Sequence, residues 1–203
     1  MTEQVVEAIR AGQPVILPTD TVYGLCADAY QEEAVRRLYR LKGRGEMQPT
    51  AFLAADVDAV LDAVPELDAH ARNIARALLP GPYTLIFANP ARRFAWLTGR
   101  RPETIGVRVP ELPVEAQAVL DRVRAVAATS ANHPGAPDPR RLEDIPDDLR
   151  AGCAAALDAG ELPGTPSTVL DLTGDEPAVV REGAVPAELA LSRVGELWER
   201  APG

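Results

Sequence analysis

The sequence has few of the residues that usually mark a catalytic centre. Its 203 residues include two cysteines, Cys26 and Cys153, and two histidines, His70 and His133. The cysteines lack both the spacing of a metal site and the number needed for a disulfide framework, so we predict two buried free thiols and no metal-ligating set. His70 lies in a helical pattern and is expected at the surface. A histidine-based triad is poorly supported.

The common nucleotide and hydrolase motifs are also absent. The chain contains no Gly-x-x-x-x-Gly-Lys-Ser/Thr loop, no Gly-x-Gly-x-x-Gly fingerprint, no His-Glu-x-x-His helix and no Gly-x-Ser-x-Gly turn. These absences argue against a P-loop enzyme, a Rossmann dehydrogenase, a zinc protease and a serine hydrolase.

Long apolar segments are missing as well. No stretch approaches the roughly 18 apolar residues that a membrane span needs. The segment 1–4 is not a basic region followed by an apolar run, so it does not resemble a signal peptide. We therefore predict a cytoplasmic protein without a membrane partner.

The balance of charge limits the partners. Thirty acidic residues against 21 Lys and Arg give a net charge of −9. Such a balance disfavours direct, stable binding of RNA, because that binding rewards clustered cations. It does not exclude a local basic cleft, since 21 cations can still converge in space.

The length and composition are those of a globular chain with a core. Hydrophobic residues make up 46% of it and charged residues 25%, whereas aromatics contribute only 4%. The core must therefore be built from Ala, Val and Leu. A chain of this length fits one large domain better than two small ones, and we predict a single domain over 1–203.

Helical and strand patterns alternate along the chain. Thr2 is expected to cap a first helix with Val5, Val6 and Ile9 on its apolar face, and Gly12 to end it. The segment 133–146, rich in Pro, Asp and Arg, is expected to be a surface loop. The alternation predicts an α/β fold, a twisted mixed sheet with flanking helices. Predicted strands cover 14–17, 51–54, 83–88, 104–109, 125–128, 168–172 and 178–180, and further helices 31–41, 56–63, 67–79, 115–122 and 186–200.

Polar and cationic residues fall where these strands and helices end. The segment 18–25 carries three hydroxyl groups after a buried strand, Lys42 and Arg44 are expected just past a helix, and Arg108 interrupts an apolar strand. Open α/β sheets bind ligands at strand ends, and cations with hydroxyl or amide donors suit an anionic ligand. Each residue alone has an ordinary structural explanation, so the prediction rests on the combination. Its other members are Ser130, Asn132, Ser167 and Arg181.

This combination resembles a known family. In order and spacing, six segments are similar to the YrdC-like family of L-threonylcarbamoyladenylate synthases, in its short form with one domain. The resemblance covers residues 4–190, and the segment 45–49 departs from the family pattern. The six segments are 18–25, Lys42-x-Arg44, 106–110, 130–132, 167–169 and Arg181-x-Gly183.

The resemblance implies a large concave cavity and a nucleotidyltransferase reaction. In that reaction L-threonine, bicarbonate and ATP give threonylcarbamoyl-adenylate and pyrophosphate, with Mg²⁺ expected on the ATP. The product would pass to a transferase complex that modifies transfer RNA.

The resemblance also implies roles for individual residues. Thr21, Arg108 and Ser167 would bind threonine. The nucleotide phosphates would be contacted by Lys42, Arg44, Ser130, Asn132 and Arg181. Lys42 and Arg44 would be catalytic, because a carbamate that attacks a phosphate is an anion approaching an anion, and cations must neutralise both.

Two alternatives stay open at this point. The same fold with its basic residues clustered would serve as an RNA-binding module. A paralogue that adenylates another carbamate, or binds nucleotide without turnover, would explain the departure at 45–49.

Overall fold

One nine-stranded sheet organises the chain. The structure, a computed structural model, describes residues 1–198. The strands are β1 Val15–Pro18, β2 Tyr23–Asp28, β3 Ala51–Ala54, β4 Tyr83–Ala88, β5 Thr104–Arg108, β6 Ala125–Ser130, β7 Ala155–Ala156, β8 Thr168–Asp171 and β9 Ala178–Arg181. The helices are α1 Thr2–Arg10, α2 Glu32–Lys42, α3 Val57–Ala63, α4 Ala69–Leu78, α5 Val114–Val123, α6 Asp147–Ala151 and α7 Ala187–Trp198.

The sheet is mixed. Its strand order is β7-β1-β2-β6-β3-β5-β4-β8-β9. Three neighbouring pairs run parallel, namely β1 with β7, β3 with β5 and β4 with β8, and the other pairs run antiparallel. The predicted α/β class with a twisted mixed sheet and flanking helices is confirmed.

One face of the sheet carries the larger core. Successive strand side chains point to opposite faces, so alternate residues share a face. Phe52 of β3, Leu85 of β4 and Val107 of β5 are fully buried in one cluster with residues of α2, α3, α4 and α7. Helix α2 contributes Val35 and Leu38 to this cluster. Helices therefore cover this face along most of its width.

The opposite face is covered along only part of its width. Helix α1 buries Val5, Val6 and Ile9, the face predicted from the sequence, in a second cluster with α5. Each fully buried Val or Ile side chain contributes about 1.5–3 kcal/mol. The strand residues beneath the two helices are Val15, Leu17, Cys26, Leu53 and Val126. On the remaining part of this face, toward β4, β5 and β8, no helix of residues 1–198 packs.

Some local predictions were wrong. Thr2 is the first residue of α1, and Met1 holds the capping position without a side-chain hydrogen bond. The end of the predicted loop 18–25 is strand, since β2 starts at Tyr23 and pairs with β1 and β6 on its two sides. That pairing overrides the weak strand tendency of a segment containing Gly24.

Other elements were not foreseen, or were foreseen only in part. Helix α6 and the two-residue β7 were missed because they are too short to show a periodic pattern. The loop 133–146 is irregular as expected, apart from a 3₁₀ turn at Leu142–Asp144. The last predicted helix was extended to 200, and positions 199 and 200 lie outside the described residues. Within residues 1–198, no helix combines the length and apolar character required to cross a bilayer.

Two glycines give opposite predictions for stability. A Cβ on Gly183 would lie 2.2 Å from the carbonyl oxygen of Pro166, because the chain after β9 packs against the segment that enters β8. We expect Gly183→Ala to lower the free energy of unfolding by about 1–3 kcal/mol through overpacking. Gly195 lies inside α7, and outside the helix's own backbone no atom of the described residues lies within 4 Å of such a Cβ, so Gly195→Ala should raise the free energy of unfolding by about 0.5–1 kcal/mol.

Urea unfolding of the two variants beside the unmodified chain measures both changes. Equal effects of the two alanines would contradict the close packing of Gly183.

Candidate active site

A cavity of about 560 Å³ lies on the part of the sheet that α1 and α5 leave uncovered. This volume is within the usual range for small-molecule sites. The strand residues on its floor are small or hydroxylated at most positions, so they leave room above the sheet. They include Gly24, Ala51, Thr84, Thr104, Gly106 and Ala128.

The cavity corrects one expectation and agrees with another. General rules for open sheets placed the ligand beyond the strand ends, whereas the cavity lies on the sheet face. The large concave cavity implied by the family resemblance is present. Alternation along β5 shows the reason, since Thr104, Gly106 and Arg108 line the cavity while Ile105 and Val107 are buried on the other face.

Lys42 reaches the end of β6 from α2. It is the last residue of α2, and not just past the helix as predicted. Its ammonium donates hydrogen bonds to Thr129 Oγ1 at 3.1 Å, to Asn132 Oδ1 at 3.2 Å and to the carbonyl oxygen of Ser130. Only 4% of the residue is exposed, so the structure places Lys42 behind the cavity wall.

Burial changes the acid–base behaviour of Lys42. Desolvation and the nearby charge of Arg44 lower its pKa to about 8, against the opposing effect of Asp138. A lysine in this state loses its proton near pH 8 unless an anion approaches.

Arg44 and Ser130 form part of the cavity wall itself. Arg44 Nη1 donates to Thr129 Oγ1 at 2.8 Å, so one threonine hydroxyl holds both Arg44 and Lys42. Ser130 is the last residue of β6, and its hydroxyl donates to Asn132 Oδ1 at 2.7 Å. Arg44 and Ser130 line the cavity, while Asn132 supports Ser130 from behind.

Arg108 is held by the loop between β1 and β2. Its Nη2 pairs with Asp20 and donates to Thr21 Oγ1 at 2.6 Å. The loop thus reaches across β6 and β3 to a residue on β5. Burial raises the pKa of Asp20, and the charge of Arg108 opposes that rise. Thr21 therefore orients Arg108 and does not itself line the cavity.

Ser167 and Arg181 form the wall on the side of β8 and β9. Arg181 Nη2 donates to the carbonyl oxygen of Ser167 at 2.8 Å, and the hydroxyls of Ser167 and Thr84 lie 2.8 Å apart. Ser167 is 2% exposed, and both Ser167 and Arg181 line the cavity.

The structure thus brings all eight predicted residues to one cavity in two layers. Arg44, Arg108, Ser130, Ser167 and Arg181 line it, and Lys42, Thr21 and Asn132 lie behind them.

Sequence reasoning missed three residues that belong to this arrangement. Asp20 lies within the motif 18–25 and Thr129 directly before the motif 130–132, and neither was given a role, while Asp138 was part of the loop 133–146. Thr129 and Asp20 each directly precede a predicted site residue in the sequence, and this position was the signal that could have identified them. For Asp138 no sequence signal distinguished it from the other acids of the loop.

The cysteines and histidines take no part in the cavity wall. Burial raises the pKa of both thiols, Cys26 and Cys153, to about 12, so neither is a ready nucleophile. His70 packs edge-on against Trp198, and His133 lies 3.1 Å from Asp148 Oδ1. Among the described residues, no group of three or more His, Cys, Asp or Glu is placed to hold a metal ion.

Relatives of known name match almost the whole chain. A threonylcarbamoyl-AMP synthase of Pyrococcus abyssi is 33% identical over 190 residues, which are 93% of this chain and 56% of the relative. A threonylcarbamoyl-AMP synthase of Bacillus subtilis is 30% identical over 195 residues, which are 96% of this chain and 56% of the relative. The chain thus spans about half the length of these two relatives. A relative from Mycobacterium tuberculosis, provisionally named for the same activity, is 38% identical over shares of 94% and 87%.

Solved structures share the fold. The crystal structure of P. abyssi Sua5 complexed with L-threonine is 32% identical with a TM-score of 0.87, covering 96% of this chain and 57% of that one. The structure of E. coli YciO is 31% identical with a TM-score of 0.78, covering 90% and 89%.

A family model confirms the resemblance found in the sequence motifs. The model Sua5_yciO_yrdC, described as "Telomere recombination", matches residues 7–183. Together with the relatives and the shared fold, this match shows that the chain belongs to the Sua5/YciO/YrdC family.

Proposed function

We propose that this chain is a threonylcarbamoyl-AMP synthase. The observation that carries the proposal is one cavity with two sets of anion-binding groups, in a chain whose relatives bear that name. Arg108 provides one set, and Arg44, Ser130 and Arg181 provide the other. Two sets suit a reaction that joins a carboxylate-bearing substrate to a nucleotide.

The reaction is a condensation in two steps. The amine of L-threonine takes up bicarbonate to give a carbamate and water, and a carbamate oxygen then attacks the α-phosphorus of ATP and releases pyrophosphate. Both partners of the second step are anions. The cavity must therefore neutralise charge and hold the partners in line, and a protein nucleophile is not required.

We assign the threonine carboxylate to Arg108. A guanidinium can bind a carboxylate through two parallel hydrogen bonds, which fixes direction as well as charge. Asp20 and Thr21 hold this side chain from one nitrogen, Nη2. Ser167, which lines the same cavity on the side of β8, is assigned to the threonine side with them.

We assign the triphosphate to Arg44, Ser130 and Arg181, with Lys42 and Asn132 behind them. Lys42 orients Ser130 through the carbonyl and adds a second positive charge close to the wall. In this arrangement Lys42 and Arg44 lower the repulsion between carbamate and phosphate, which is their catalytic role.

Several further points are proposals of the same kind. Mg²⁺ is expected to accompany ATP. Residues 1–203 are taken as one domain. The product is expected to pass to a transferase complex that modifies transfer RNA, in the cytoplasm and without stable binding of RNA by this chain.

Pyrophosphate release tests the proposed function. The purified chain with ATP, bicarbonate and Mg²⁺ should release pyrophosphate when L-threonine is added, and much less with serine, valine or glycine. Release with a different amino acid would favour a paralogue for another carbamate. No release with any of them would refute the proposal.

Substitutions in the two sets of anion-binding groups should raise the KM values of different substrates. Arg108→Ala should raise the KM for threonine about 10- to 100-fold, the loss of a charge-assisted hydrogen bond, with less effect on the KM for ATP. Arg181→Ala should do the reverse. Arg108→Gln keeps a donor toward Asp20, so it controls for the buried carboxylate that Arg108→Ala leaves unpaired.

Arg150→Ala provides a surface control, because Arg150 pairs with the exposed Asp147 at the start of α6 and does not line the cavity. Equal effects of Arg108→Ala on both KM values would contradict its assignment.

The lowered pKa of Lys42 predicts proton uptake on ATP binding. In the unliganded chain Lys42 has a pKa of about 8, well below the ordinary lysine pKa of 10.5. A bound triphosphate favours the charged form of the side chain. ATP affinity should therefore fall as the pH rises through about 8, and binding above that pH should take up a proton. Lys42→Arg keeps the charge and should remove the uptake.

Calorimetric titration in two buffers of different ionisation enthalpy measures this uptake. Equal binding enthalpies in both buffers at pH 8.5 would count against a titrating Lys42.

A further inference from the structure

Asp138 stands out in a cavity suited to anions. Among the described residues that line the cavity it is the one carboxylate, beside the guanidiniums of Arg44, Arg108 and Arg181. A negative charge facing a triphosphate would weaken binding by simple repulsion. A positive charge between the carboxylate and the triphosphate would remove that repulsion.

The carboxylate of Asp138 is fixed through one oxygen. Asn132 Nδ2 donates to Asp138 Oδ1 at 3.2 Å, and Asn132 Oδ1 accepts from Ser130 Oγ at 2.7 Å. Asp138 and Ser130 are thus joined through a single amide. The next residue is also held, because the carbonyl oxygen of Pro139 accepts a hydrogen bond at 3.2 Å from the backbone of Tyr23.

The second oxygen is available for a ligand. No described residue donates a hydrogen bond to Asp138 Oδ2, and the side chain is only partly buried. The carboxylate also influences the surrounding cations, since it raises the pKa of Lys42 and of Arg181 against the lowering by burial. It therefore lies within electrostatic reach of the groups assigned to the phosphates.

We propose that Asp138 is a ligand of the Mg²⁺ ion that enters with ATP, placed by Asn132 at the phosphate-binding wall beside Ser130. Mg²⁺ prefers hard oxygen donors, keeps several waters and is commonly held by one or two carboxylates together with substrate phosphates. A single carboxylate fits that pattern. The lack of a three-residue cluster among residues 1–198 agrees with an ion carried in by the nucleotide. The proposal rests on the proposed function, in that it takes ATP as the ligand of this wall.

The proposal predicts that the contribution of Asp138 to binding changes sign with the metal. Without metal, Asp138 repels the triphosphate, so Asp138→Asn should bind ATP severalfold more tightly than the unmodified chain. With Mg²⁺, the same variant should bind ATP about tenfold more weakly or worse. Asparagine keeps an oxygen that can accept from Asn132, so the wall should remain in place.

Calorimetric titration with ATP measures these affinities, in EDTA and in excess Mg²⁺, for both proteins. For each protein, the dissociation constant of ATP in EDTA is divided by that in excess Mg²⁺. This ratio should be at least tenfold smaller in Asp138→Asn than in the unmodified chain. An unchanged ratio would overturn the proposal and leave Asp138 as a counter-charge for Lys42 and Arg181. Asp148→Asn is the matched control, because Asp148 is exposed, pairs with His133 and does not line the cavity.

A second variant tests direct coordination. A thiolate prefers soft metals, so Asp138→Cys should bind ATP weakly with Mg²⁺ and regain affinity with Cd²⁺. The buried Cys26 and half-buried Cys153 are present in both proteins, and the unmodified chain under Cd²⁺ controls for them. Equal response of both proteins to Cd²⁺ would contradict a metal ligand at this position.

The binding experiments are independent of turnover. A chain that binds ATP with the predicted metal dependence but releases no pyrophosphate would keep this proposal and refute the proposed function. A chain that binds no ATP with or without Mg²⁺ would refute both.

Discussion

The site depends on the incomplete cover of one sheet face. Helices α1 and α5 pack where that face offers apolar residues such as Leu17, Leu53 and Val126. Toward β4 and β5 the corresponding positions carry Thr84, Thr104 and Gly106 beside a single large apolar residue, Ile86, and so give a helix less apolar surface to bury. The choice of residue at alternate strand positions therefore determines both where the helices pack and where the cavity opens.

The cations that surround this cavity are incompletely satisfied without a ligand. Four buried side-chain atoms lack a hydrogen-bond partner among the described residues, and two of them, Arg44 Nε and Arg108 Nε, belong to guanidiniums that line the cavity. Native structures leave few buried polar atoms unpaired, and functional sites account for many of those. The lowered pKa of Lys42 has the same origin, since burial without an anion disfavours its charge. The free protein thus bears a desolvation cost that an anionic ligand would offset.

The sequence predicted the architecture better than the details of the site. Strands β3 and β4 were predicted at their observed bounds, because short apolar runs between turn signals are distinctive. The eight site residues were identified by the family resemblance, and the structure gathers them at one cavity. Their division into lining and supporting residues was not predictable, because it depends on a loop that crosses from β2 to Arg108 on β5 and on Lys42 approaching from the helix side. Such contacts between distant segments leave no pattern in a single sequence.

We propose that one cavity holds threonine and the nucleotide side by side on the uncovered sheet face. A crystal structure of the chain with L-threonine and a non-hydrolysable ATP analogue would show where both ligands bind. We expect the threonine carboxylate on Arg108 and the triphosphate on Arg44, Ser130 and Arg181. A nucleotide bound elsewhere, or a threonine without contact to Arg108, would contradict it.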